Sequence, residues 1–163
     1  MRTSGVSQTV RTPPRRRARE FVLQGLYQRQ LSGNSAAAIR AQIADASGFA
    51  KADQAYFDEL WSGASAGFDE LVAVCAPYLD RRAAELSPIE RAILAIGAWE
   101  LTHRLEIPYR VVINEAIELA KSYGGTDGHK FVNGVLDKLA AHVRAAEIAA
   151  LAGGRGAGVV DAA

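Results

Sequence analysis

The chain has little with which to build a disulfide framework, a membrane anchor or a redox site. Its 163 residues include one cysteine, so no intramolecular disulfide can form. Cys75 sits in an apolar stretch with Leu71, Val72 and Val74, which marks it as a small core residue rather than a nucleophile. No apolar run approaches the about 18 residues that a membrane-spanning helix needs. The arginines near the N-terminus are not followed by the apolar segment of a secretory signal. These absences point to a soluble, cytoplasmic protein of one domain, long enough to bury a core without staples. Strand-like alternation and dense β-branching are missing as well, and there is no internal repeat.

Catalytic groupings are equally scarce. His103, His129 and His142 are far apart and show no metal-ligand spacing. The bend Gly124-Gly125-Thr126-Asp127-Gly128 lacks the lysine and spacing of a phosphate loop and follows a helical pattern, not a strand. Glu115 and Glu118 lie three apart, as helix-supporting carboxylates do, with no visible acid/base asymmetry. Nothing here points to an enzyme, a cofactor or a metal.

What the chain does have is helical periodicity and segregated charge. Pro13 and Pro14 mark the entrance of a helix running to about Leu31, with Ala18, Phe21, Val22 and Leu26 as its core face. Gly25 inside it costs up to ~1 kcal/mol relative to alanine, which close approach of another helix would explain. Ser35 can cap a helix from Ala36 to about Ser47. A single long helix is expected from Lys51 or Ala52 to Tyr78, its stripe running through Tyr56, Phe57, Leu60, Trp61, Ala64, Phe68, Leu71 and Val72. These aromatics read as core, not as a cofactor box. A short helix can cover Asp80 to Leu86, and Ser87-Pro88-Ile89-Glu90 is a capping-box start for a helix to about Arg104. Pro108 opens a helix to Tyr123. Asp127 or Thr126 can cap the last one, Gly128 to Ala149, with Val132, Val135, Leu136 and Leu139 inside. The expected architecture is all-α: two packed bundles of about six to seven helices, subdomains about 14–80 and 81–149 with a joint near residues 79–86. A disordered basic arm (1–13) and a disordered tail (150–163) flank it.

The formal net charge is only +1, but residues 1–19 carry six arginines and no acid, whereas residues 20–163 carry 13 basic and 18 acidic groups. A basic arm on a mildly acidic body suits a polyanionic partner, although a solubilising tail would look alike. Arg15, Arg16, Arg17 and Arg19 open the first helix, where cations oppose the macrodipole. Successive helical residues point about 100° apart, so only two or three of them can face one ligand. Near the glycine bend, Lys121, His129 and Lys130 gather around Phe131, which is either a peripheral core residue or an exposed platform on which an unpaired base could stack. Asp127 is an acid in that basic setting. It reads as an N-cap, as a group that repels phosphate and so tunes RNA affinity, or as both.

The runs RRRARE (15–20), LYQRQ (26–30), INEAIELAKSYG (113–124) and HKFVNGVLDK (129–138) resemble the bacterial NusB family of transcription antitermination proteins over roughly Arg15 to Arg144. The resemblance implies an all-α fold and no catalysis. It implies binding to the single-stranded boxA element of ribosomal RNA leaders, a heterodimer with the small-subunit ribosomal protein NusE, and entry into an antitermination complex on RNA polymerase. Carried over by position, Arg15, Arg16, Arg17, Arg19, Lys121, Asp127, Lys130 and Phe131 are RNA-facing, Tyr78 is a further RNA candidate, and Tyr27 and Glu90 face NusE. A homodimer that hides the RNA surface is an alternative state. NusB-like domains also occur in RNA cytosine methyltransferases, which need an α/β domain with a glycine-rich cofactor turn, and residues 1–163 hold none. Gly25 departs from the alanine expected before Leu26-Tyr27, and the bend is richer in glycine than the resemblance leads one to expect.

Overall fold

Local stop and start signals divide the chain into helices much as its punctuation predicts. The computed structural model of the protein describes residues 12–162, and side chains as far as residue 153. Most of the expected basic arm therefore lies outside the described residues. Helix α1 spans Pro14–Ser32, with Pro13 before it and left-handed Gly33 closing it through an N–H bond to the Arg29 carbonyl. Ser35 caps α2 (Ala36–Ala44) by accepting from the Ala38 N–H. A 3₁₀ turn at Phe49–Lys51 leads to Asp53, which accepts from the Tyr56 N–H and caps α3 (Gln54–Ala66).

The long helix expected to reach Tyr78 is instead split. At Gly67 the backbone turns out of helical geometry (φ −104°, ψ 24°), and α4 (Phe68–Cys75) restarts from it before a 3₁₀ turn at Ala76–Tyr78. The hydrogen bonds pass through, Gly67 N–H to Gly63 and Leu71 N–H to Gly67, so the apolar stripe continues across the break in helical geometry. Cys75 is buried and its thiol is pushed up to about 12 by burial, which keeps it a neutral core group.

Helix α5 (Pro88–His103) begins with the predicted capping box: the Glu90 N–H bonds to Ser87 Oγ and Glu90 returns to the Ser87 N–H. Every residue from Ala92 to Leu101 is buried. That is the signature of a central helix, and α5 packs against α1, α3, α4, α6 (Tyr109–Tyr123) and α7 (Gly128–Val143). One continuous apolar cluster runs through these helices, including Phe57, Leu60, Ile93, Ile96, Leu136 and Leu139. Among the described residues there is no strand, and no helix is long and apolar enough to cross a membrane.

The expected final helix is also split. Arg144 breaks it, and α8 (Ala145–Ala162) continues helical over the segment read above as a disordered tail. Arg144 is 3% exposed and donates to the carbonyls of Glu100, Leu101, Arg104 and Ile107. It thus ties the last turn of α5 to the connection that follows, and it sets a cation at a helix C-terminus, the sign such an end favours.

Gly25 is explained by close approach. A Cβ there would lie 2.7 Å from a Trp61 ring carbon and 2.9 Å from Ile43 Cδ1. Gly25→Ala should therefore be destabilising by about 1–2 kcal/mol, because the overpacking penalty exceeds alanine's ~1 kcal/mol gain in helix propensity. A urea midpoint at or above that of the parent would show that Trp61 and Ile43 yield without cost.

Candidate nucleic-acid interface

The four arginines that open α1 separate by burial. The Arg15 guanidinium lies over the Tyr56 ring, 4.3 Å from its centroid, and 3.9 Å from Asp53, with its side chain 42% exposed. Arg16 makes a two-pronged bond to Glu115 of α6, at 3.0 and 2.9 Å, from a part-exposed position. Arg17 is half-buried, and its Nε has no hydrogen-bond partner. Arg19 differs from all three. It is 4% exposed, donates through Nε to both Glu100 oxygens, and stands 3.4 Å from Glu115. The structure thus places Arg19 in the core and not on the surface that the resemblance assigned to it, because Glu100, in the last turn of α5, is itself 1% exposed and requires a cation.

Tyr56 completes this buried network by donating its hydroxyl to Glu100. Burial and the Glu100 charge push the Tyr56 phenol up, so it remains a donor. Glu115 joins the network to the surface. Burial raises its carboxyl, but the Arg16 hydrogen bond and the charges of Arg19 and Arg16 outweigh that and hold it below the usual range. One turn along α6, the charge of Glu118 also bears on Arg16, and Glu118 lies 3.9 Å from Lys121. Alternating charges therefore lead from the start of α1 along α6 to the glycine bend.

At the bend a side chain is excluded from Gly124, where a Cβ would meet the Ala120 carbonyl oxygen at 2.7 Å. Asp127 adopts a left-handed backbone (φ 65°), the only non-glycine residue among those described to do so. It occupies the N-cap position of α7, but its carboxylate makes no capping bond. The capping role expected of its side chain is not realised, because in this backbone the carboxylate instead lies 3.4 Å from Lys130 Nζ. Lys121, Asp127 and Lys130 are all exposed, so the bend carries two cations and one acid to solvent.

Phe131 packs partly against the core, and its ring is covered by the guanidinium of Arg81 at 4.2 Å. Phe131 is thus a partly buried residue at the edge of the core. Tyr78 lies tilted against His142, ring centroids 5.6 Å apart. Phe131 and His142 are separated by about three helical turns and so share one side of α7, which brings Tyr78, Arg81, Phe131 and His142 along that side. Sequence reasoning did not find Arg81 or His142. Arg81 lies in an irregular connection, where no periodicity predicts direction, and its place beside Tyr78 was the one available signal.

Tyr27 is 38% exposed on α1, and Glu90 is partly exposed at the start of α5. The two elements meet where Gln30 Nε2 donates to the Pro88 carbonyl at 2.9 Å. Beside them an open cleft of about 450 Å³ is lined by Leu26, Arg29, Gln30, Phe68, Asp69 and Arg91, a polar groove suited to a protein segment. Among the described residues no cluster of histidine, cysteine or carboxylate side chains could hold a metal ion.

The chain is similar in sequence and in fold to known proteins. Residues 16–141 match the model of the NusB family. The transcription antitermination protein NusB of Ralstonia nicotianae is 57% identical over 143 residues, covering 86% of this chain and 92% of that protein. The protein of the same name from Dechloromonas aromatica is 51% identical over 146 residues, covering 88% and 90%. The solved structure of T. maritima NusB superposes with a TM-score of 0.70 at 30% identity, covering 82% of this chain and 94% of that one.

The backbone at Asp127 yields a direct test. Asp127→Gly should leave the melting temperature unchanged or slightly raised, since glycine adopts φ > 0 freely and no capping bond is lost, whereas Asp127→Ala should cost about 1 kcal/mol. Equal losses in both variants would mean that the carboxylate, and not the backbone, matters for stability.

Proposed function

The chain belongs to the NusB family, and from that premise we propose that it is a transcription antitermination factor that binds the single-stranded boxA element of ribosomal RNA leaders. It does so together with NusE, the small-subunit ribosomal protein, and the pair joins the antitermination complex on RNA polymerase. RNA meets Arg15, Arg16 and Arg17 at the start of α1, and Lys121, Lys130, Phe131 and Tyr78 around the bend and along α7. NusE meets Tyr27 and Glu90. Arg19 is left out of the RNA surface and serves the core.

One observation carries this reading. Cations from the two ends of the sequence, Arg16 and Lys121, flank the same acidic pair of α6, Glu115 and Glu118. A polyanion lying along this edge gains phosphate contacts with these cations, displacing the exposed Lys121–Glu118 pair, and releases counterions. The partly buried ring of Phe131, with the Arg81 guanidinium over it, offers an unpaired base a stacking surface beside those cations. Asp127, exposed and uncommitted to capping, opposes phosphate, so Asp127→Asn tightens RNA binding.

The test is an RNA titration with a boxA sequence and a scrambled control, each with and without NusE. The boxA strand should bind more tightly, and NusE should widen the difference. Equal affinity for both RNAs under both conditions would contradict the reading. In the same assay, Arg15→Ala combined with Arg17→Ala should weaken binding and flatten the slope of log affinity against log salt by roughly 0.7 for each phosphate that is no longer neutralised.

A further inference from the structure

Arg81 touches both of the surfaces just assigned. Its guanidinium lies 4.2 Å from the centroid of Phe131 on α7, its Nε donates to Asp80 at 2.8 Å, and its Nη1 stands 3.9 Å from Glu90 on α5. Its side chain is 37% exposed, so it is within reach of a ligand on the Phe131 side. The Arg81 hydrogen bond, with a smaller contribution from the charge of Lys138, holds the Asp80 carboxyl below the usual range. In the free protein two carboxylates therefore share the charge of one guanidinium.

A guanidinium stacked on a ring extends that ring into a wider platform with hydrogen-bond donors at its edge. Such a platform can take a base against its face and a phosphate at its rim. The same carboxylates that hold Arg81 in place compete with phosphate for it. A protein partner that presents a cation to Glu90 removes one competitor without touching RNA.

We propose that Arg81 couples the two binding surfaces: with Phe131 it forms the RNA platform, and Glu90 restrains its charge until a protein partner draws that carboxylate away. This rests on the assignment of Phe131 to RNA and Glu90 to the protein partner, and supplies a route by which one ligand alters affinity for the other. The coupling is reciprocal, as linkage requires.

The experiment needs no partner. A boxA RNA strand is titrated against the full chain as parent, Glu90→Gln, Arg81→Ala, the double variant and Phe131→Ala, with melting temperatures recorded for each. Glutamine keeps the oxygen that accepts from Ser87 N–H, so the capping box of α5 survives. Glu90→Gln should tighten RNA binding about two- to fivefold, the scale of an exposed ion pair. Arg81→Ala should weaken it about three- to tenfold. In the Arg81→Ala background, Glu90→Gln should have no effect. Asp80→Asn, at an exposed position outside α5, should tighten binding in the same Arg81-dependent way, and it decides the matter if Glu90→Gln melts early. Tightening by either carboxylate change that persists without Arg81 would overturn the coupling, because it would be a through-space loss of negative charge. If Phe131→Ala leaves affinity unchanged, the assignment of the bend to RNA fails. A loss at Phe131 with no dependence between Arg81 and Glu90 overturns the coupling alone.

Discussion

A carboxylate at the centre of the fold has to be neutralised, and the rest of the arrangement follows from how this is done. Glu100 lies in the fully buried part of α5. Removing an ion from water costs several kcal/mol, and only close, well-directed partners repay it. Arg19 reaches it from α1 with bonds of 3.1 and 2.9 Å, Tyr56 from α3 through its hydroxyl, and Glu115 of α6 pairs with the same arginine. Four helices are thereby fixed in register by one network. Apolar contacts alone tolerate sliding and repacking, whereas a buried ion pair does not, since any shift leaves a charge unpaired.

That constraint sets the geometry of the candidate interface. Arg15 and Arg16 lie one turn before Arg19 on nearly the same side of α1, so they share its partners Tyr56 and Glu115 but reach them from nearer the surface. The pairs of Arg16 and Arg19 with Glu115 tie α6 to the start of α1, and the glycine bend follows the C-terminal end of that same helix. Arg144 acts at the same end of α5, collecting the carbonyls of Glu100, Leu101, Arg104 and Ile107, and α6 then starts at Tyr109, whose N–H is taken by Glu147. The exposed ion pairs add little stability of their own.

Much of this was legible in the residues. Ser35 and the Ser87-to-Glu90 box announce their helices because capping is a local matter of one side chain and one turn, whereas Asp53 caps a helix that the apolar pattern alone would start two residues earlier. Gly25 announced a close approach, and Trp61 makes it. The split at Gly67 was not legible, since the apolar stripe runs on through it and only the helical geometry breaks. Arg144 was hidden for a related reason: it keeps helical spacing while its bonds reach far back along the chain to the end of α5. The arginine run resisted the reading most. Four similar cations in five positions cannot reveal which is core, because the answer depends on Glu100, 81 residues away from Arg19. Arg81 was missed because an irregular connection has no period from which to infer direction.

The central claim is that the arginine run divides its labour, Arg19 holding the helices together and Arg15 to Arg17 meeting RNA. It is tested most directly by measuring the urea midpoint and boxA RNA affinity together for Arg19→Ala and for Arg15→Ala. The account predicts that Arg19→Ala loses about 3–5 kcal/mol of stability, as breaking a buried pair does, while protein that remains folded binds RNA nearly as before. It predicts that Arg15→Ala keeps its stability and binds RNA more weakly. An Arg19→Ala variant with unchanged stability and abolished RNA binding would contradict it.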